Sequence, residues 1–176
     1  MSLFDVFGPY PIQRENKLCK PTQNTIWEAA DQQDPGLSGA IGCYLFCTRH
    51  GQTVTPWYVG MTVARAGFRG ECFQPHKLGI YNECLRARYG APALFLFPML
   101  TANGQKFSRA YATAKPTISW LEKTLMFMAF AKNPKLRNIK AMKHLRIVEV
   151  PGLLGNLGPG QPTTKVQAVR NALLNF

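Results

Sequence analysis

The stretch GCYLFCTRHGQTVTPWYVG, residues 42–60, decides the fold, because it reads as two apolar arms joined by a short polar link. Both arms are rich in aromatic and β-branched residues, and His50-Gly51 supplies a turn between them. The segment therefore predicts a β-hairpin with arms over 40–48 and 53–60. Each arm places a glycine two residues from a tyrosine, Gly42 with Tyr44 and Gly60 with Tyr58. Side chains alternate along a strand, so the two phenols share a sheet face only in an even register. A three-residue link, His50-Gly51-Gln52, would set Tyr44 opposite Tyr58, whereas a two-residue His50-Gly51 turn without a bulge would put them on opposite faces.

Outward from the hairpin, the pattern changes period. Leu78, Tyr81, Leu85 and Tyr89 recur at helical spacing and Gly90 ends the run, which predicts a helix over 77–89. Residues 93–100, ALFLFPML, read as a third strand, with Pro98 placing its end at an edge or a bulge. After the Asn103-Gly104 turn, Pro116-Thr117 opens a helix that is apolar nearly all round and closes at Asn133-Pro134, so it is expected to be buried. Residues 145–150 read as a further strand, 151–162 as a Gly/Pro-rich loop, and 164–174 as a helix capped by Thr163 or Thr164. Residues 1–38, broken by Pro9, Pro11, Pro21 and Pro35, read as a lead-in with at most one short helix around 24–33. The whole is an α+β chain: a small antiparallel β-sheet flanked by helices over residues 39–150, with N- and C-terminal extensions over 1–38 and 151–176.

At 176 residues and 46% apolar, the chain has enough material for one core. No apolar run approaches the roughly 20 residues that span a bilayer, and MSLFDVFGPYPIQRE lacks the basic start and apolar stretch of a signal peptide. A soluble cytoplasmic protein without a membrane partner is the expectation. The five cysteines include no CxxC pair and mostly lie within apolar sequence, which points to buried thiols rather than a zinc site. Charge is the strongest compositional signal. The net charge is +12, and its distribution is lopsided: residues 1–83 balance seven Lys/Arg with seven acids, while residues 84–176 carry fourteen Lys/Arg against Glu122 and Glu149 alone. The segment KNPKLRNIKAMKHLR, residues 132–146, holds six cations and no acid, a surface suited to phosphates unless it is simply a solvated face.

The half-motifs Gly42-Cys43-Tyr44 and Tyr58-Val59-Gly60 on adjacent strands resemble those of the GIY-YIG nuclease family, and the resemblance extends over residues 40–138. It implies an Arg on the helix after the hairpin, met by Arg69 eleven residues beyond Tyr58; a Glu on a later helix, met by Glu122; and an Asn further on, met by Asn138 or else Asn133. The literal string Gly79-Ile80-Tyr81 lies in a helical pattern and has no second half-motif at hairpin distance. The implied activity is a divalent-metal-dependent endonuclease that hydrolyses nucleic-acid phosphodiesters, DNA in preference to RNA, with Mg²⁺ or Mn²⁺. The chemistry suits these residue types. Phosphodiester hydrolysis needs an aligned or deprotonated water and a cation that neutralises developing charge. Glu122 would hold the metal, although Ser119 and Glu122 also spell a capping box. Arg69 would grip the phosphate, with Arg65 as rival and an ordinary surface ion pair as the alternative. Tyr44 and Tyr58 would position water, Tyr44 as the preferred base.

Two departures from the family stand out. Phe73 occupies a position where a proton-transferring residue is common, which leaves His76 as a substitute, and Met61 stands where many members carry Lys. Both make a non-catalytic nucleic-acid-binding module the competing reading. Asn138, Lys135, Arg137, Lys140 and Lys143 are the expected nucleic-acid contacts.

Overall fold

A computed structural model of the chain describes residues 2–13, 20–86, 90–138 and 163–174, in two compact units, Met1–Arg137 and Asn138–Phe176. Among the described residues, five strands form one antiparallel sheet: β1 (Leu3–Phe4), β2 (Phe7–Pro11), β3 (Gly42–His50), β4 (Thr53–Thr62) and β5 (Ala91–Leu100). The order is β1-β5-β3-β4, with β2 also paired to β5, so β4 is the edge among the described strands. The helices of the first unit are α1 (Lys20–Gln33), the short α2 (Gly67–Glu71), α3 (Pro75–Arg86) and α4 (Lys115–Lys132). In the second unit α5 spans Thr164–Leu174, as its sequence predicts, and Thr163 Oγ1 accepts from the Val166 amide at 3.4 Å. The α+β class, a small antiparallel sheet with helices, is as expected.

The predicted hairpin forms, but its register has an unforeseen origin. His50 pairs with Thr53 across a two-residue loop, Gly51-Gln52, and that register continues to Cys47 opposite Pro56. An extra residue, Trp57, then shifts the ladder, so that Phe46 faces Tyr58 and Tyr44 faces Gly60. Without that bulge the loop would have turned Tyr58 to the other side of the sheet. Pro56 is tolerated because β4 is an edge strand. Trp57 is locked in place by its indole N–H, which donates to Thr48 Oγ1 at 2.8 Å.

The glycines answer to close approach. A Cβ at Gly60 would fall within the Tyr44 ring and hydroxyl, and one at Gly42 would overlap the Phe97 carbonyl on β5. Each half-motif glycine thus makes room for something across the ladder.

Residues 1–38 contribute more than the sequence suggests. β1 and β2 pair with β5, and α1 is longer than the predicted helix, burying Ile26, Trp27 and Ala30. Pro98 is accommodated in the middle of the sheet rather than at an edge. The Met99 amide donates to the carbonyl of Ile41, just before β3, at 2.8 Å. By alternation the Pro98 nitrogen faces the other side, where β1 gives way to β2 and no ladder donor is required.

One sheet face, carrying Tyr44, Phe46, Leu94 and Leu96, packs against Trp27 of α1, Phe68 of α2 and Tyr81 of α3. Phe46 stacks on Tyr81 with centroids 4.0 Å apart. The opposite face, through Ile41 and Cys43, packs on Ile118 of α4. Cys43, Cys47, Cys72 and Cys84 are buried free thiols. Contrary to expectation, α4 is not enclosed. It buries the stripe Ile118, Met126 and Ala129 against the sheet, while Trp120 is 67% exposed and Met128 61%. The segment after the C-terminal end of α4 is tied to β4: Asn133 Nδ2 donates to the Pro56 carbonyl at 2.7 Å and the Arg137 amide to the Trp57 carbonyl at 2.9 Å. No helix among the described residues is long and apolar enough to cross a membrane.

Gly60→Ala is expected to destabilise the fold by about 1–3 kcal/mol through overpacking against Tyr44. Chemical denaturation measures this, and Tyr44→Ala in the same chain should relieve the overlap, so that the two costs are less than additive.

Candidate functional site

Helix α3 buries the positions Lys77, Tyr81, Cys84 and Leu85, a stripe at helical spacing whose first member is a cation. Lys77 is only 3% exposed. Its ammonium donates to the Glu71 carboxylate at the end of α2, and to the Glu71 carbonyl at 2.9 Å. It also lies over the Tyr44 ring, 5.4 Å from the centroid. The short α2 therefore ends on a charge that would otherwise be unpaired in the core.

Helix α4 repeats the device with the opposite sign. Glu122 falls on the stripe between Ile118 and Met126, eight residues into a helix that begins at Lys115 with Ala114 as its N-cap. A capping box at Ser119 is therefore excluded, because Glu122 is well past the first turn. Burial pushes the Glu122 carboxyl above the usual carboxylate range; the ammoniums of Lys77 and Lys123 pull it back, and Glu71 pushes it up again. The Glu122 charge acts in turn on Tyr58 and on Cys43, raising both.

Tyr44 and Tyr58 share the face that the bulge gives them, with ring centroids 6.2 Å apart. They are not equivalent. Tyr44 is sealed, with no exposure, and its hydroxyl stops short of hydrogen-bond geometry with any described residue, although Tyr58 is near. Burial, above all, raises the Tyr44 phenol so far that it cannot serve as a base. Tyr58 is only half-buried; burial and then the charges of Glu122 and Glu71 raise its pKa, so it remains a protonated donor at neutral pH.

The other expected residues scatter. Arg69 does not join this group: it is exposed and pairs with Asp31 at 3.2 Å, the ordinary ion pair that the sequence left open. Asp31 is held in turn by the Ser38 amide and hydroxyl, at 2.8 and 2.6 Å. His76 is exposed at the start of α3, one residue from Lys77 but off the buried stripe. Phe73 is core, edge-on to Trp27 at 5.6 Å and to Tyr81 at 6.1 Å. Met61 packs beside Ile118 on the opposite face, and Gly79-Ile80-Tyr81 lies within α3. Lys135 is exposed, whereas Arg137 pairs with Glu83 on α3. Asn138 is buried, and Lys140 and Lys143 lie outside the described residues.

Lys77 and Glu71 are the members of the group that the sequence reading passed over. Helical spacing holds the signal: Lys77 is four residues before Tyr81 and eight before Leu85, so a helix that buries the latter two must bury it as well. No protein-family model, curated protein or solved structure matches the chain.

Two measurements test this electrostatic arrangement. Because the fold raises the Glu122 pKa, the stability Glu122 contributes is complete below its unfolded pKa and lost as pH rises through its folded one. Glu122→Gln should therefore match the parent in thermal midpoint under acid conditions and exceed it increasingly toward neutral pH. Lys77→Met should cost about 3 kcal/mol by stranding the Glu71 carboxylate, and adding Glu71→Gln should recover much of that in denaturant titrations.

Proposed function

We propose that this chain is a divalent-metal-dependent nuclease resembling the GIY-YIG family, with its chemistry centred on Glu122 and Tyr58. The observation that carries the reading is the electrostatic linkage of Glu122 from α4, Tyr58 from β4 and the Lys77-Glu71 pair from α3 and α2. Lys77 and Glu71 both act on the Glu122 carboxyl, and Glu122 and Glu71 both act on the Tyr58 phenol. Structural ion networks are common, but a half-buried carboxylate with a raised pKa, beside a phenol and a buried ammonium, is the pattern expected of a reacting site.

Glu122 fits a hard divalent cation. It has no hydrogen-bond or ion-pair partner among the described residues, and it is only partly buried, so its oxygens remain available to such a cation. Mg²⁺ needs just one or two carboxylates when waters and substrate phosphate complete its shell, so the lack of a cluster of three acidic, His or Cys ligands among the described residues is no obstacle. Such a cation supplies charge neutralisation at the scissile phosphate.

The chain's own groups do the rest. Lys77 is too buried to touch substrate; its field holds Glu122 ionised against the desolvation of α4, which makes it a positioning residue. Lys123, exposed and adjacent in sequence, attracts the phosphate backbone. Tyr58 keeps its proton and offers a hydrogen bond to a phosphate oxygen or to the attacking water. Tyr44 contributes by shape, as the ring that fills the space beside Gly60 and carries the Lys77 ammonium.

The test uses the full chain with supercoiled plasmid, single-stranded DNA and RNA, each with Mg²⁺ or Mn²⁺. Cleavage of at least one substrate is expected, falling roughly a hundredfold or more in Glu122→Gln while the circular-dichroism spectrum stays native. Cleavage unaffected by Glu122→Gln overturns the assignment. Tight, salt-sensitive retention on nucleic acid without any cleavage by the parent chain would establish the binding module instead.

A further inference from the structure

Away from the Glu122 group, the first unit contains a concave feature. It is a cleft of about 1150 Å³, lined by Arg65, Lys106 and Arg109 together with Phe7, Phe107 and Tyr111. None of Glu122, Lys77, Glu71 or Tyr58 borders it. The three cations are exposed, and none has an ion-pair partner among the described residues. Cations and aromatic rings lining one cavity form a particular chemical surface: charge for an anion and flat apolar area for a ring.

Both walls are built rather than loose. On one side the 101–108 loop is closed by backbone bonds, with the Thr101 amide donating to the Lys106 carbonyl, and the Ser108 amide to the Met99 carbonyl, each at 2.8 Å. These bonds hold Lys106 and Arg109 against the end of β5. Phe107 is fixed by its bridge to Leu100 and by an edge contact with Phe7, centroids 5.7 Å apart. On the other side, the turn over 36–40 is pinned by Ser38, whose hydroxyl and amide both bond Asp31. Asp5 and Asp34 also line the cleft, and their carboxylates can accept from sugar hydroxyls or a ring N–H.

We infer that this cleft binds a nucleotide, a phosphate ester carrying a planar ring, with Arg65, Lys106 and Arg109 on the phosphate and Phe107 and Tyr111 against the ring. The volume exceeds that of a single inorganic anion and suits a nucleoside phosphate or the terminal residue of a nucleic-acid strand. Guanidinium groups favour this role because they fork onto phosphate oxygens and never lose their charge.

Calorimetric titration tests it, in EDTA so that no cleavage intervenes. The probes are adenosine 5′-monophosphate, adenosine, inorganic phosphate, and an oligothymidylate with or without a 5′-phosphate. The nucleotide should bind at least about tenfold more tightly than adenosine or phosphate alone. Arg65→Ala/Lys106→Ala/Arg109→Ala, three exposed positions, should lose about tenfold or more with its thermal midpoint retained. Glu122→Gln should bind as the parent does, which separates this site from the proposed nuclease centre. Tight binding of the free nucleotide identifies a soluble ligand; binding only of the 5′-phosphorylated oligonucleotide identifies a strand end. Failure of every phosphorylated probe to bind, or unchanged binding by the triple variant, overturns the inference.

Discussion

The extra residue at Trp57 governs the parity of the distal half of β4, and most of the site's geometry follows from it. A two-residue loop leaves Tyr58 destined for the face opposite Tyr44, and the bulge reverses that assignment. It also brings Gly60 opposite Tyr44, where the missing Cβ lets the phenol lie flat against β4. Trp57 is held by Thr48 and by the backbone of Arg137, so the shift is enforced from both sides. Without the bulge, Tyr58 would leave the aromatic cluster in which Tyr81 contacts both it and Phe46.

On that ribbon, two helices each sacrifice one apolar position to an ionisable residue, Lys77 on α3 and Glu122 on α4. Either residue alone would be expensive to bury. Lys77 is compensated fully, by a carboxylate, a carbonyl and the face of Tyr44, whereas Glu122 receives only the distant field of Lys77 and Lys123. The asymmetry is informative. A satisfied cation and an under-satisfied anion, the latter reaching solvent, fit a scaffold that stores unmet ligand capacity at one defined point.

The hairpin, the helix positions and the α+β class were legible because they rest on local signals: alternation, helical spacing, and Gly or Pro at ends. Glu122 and Tyr58 were legible as individuals for the same reason. What the sequence hid was set by partners remote in the chain. Residues 3–11 read as an irregular lead-in because only β5 gives them strand pairing, and α4 reads as enclosed because composition does not show which stripe meets the sheet. Arg69 looked like the phosphate cation until Asp31, thirty-eight residues earlier, was seen to claim it. Lys77 carried a readable spacing signal, yet a lysine among Gln, Pro and His invites a surface reading until burial of Tyr81 and Leu85 fixes the helix face.

The attachment of the α4 end to β4 has one more effect. Among the described strands β4 is the margin of the sheet, and sheet margins can recruit strands from other molecules into fibres. Here the carbonyls of Pro56 and Trp57 are already occupied by Asn133 and Arg137, Pro56 offers no amide proton, and the bulge interrupts the spacing a docking strand would need. The same few bonds that align the ribbon thereby guard a crowded, concentrated solution of this protein against edge-to-edge polymerisation.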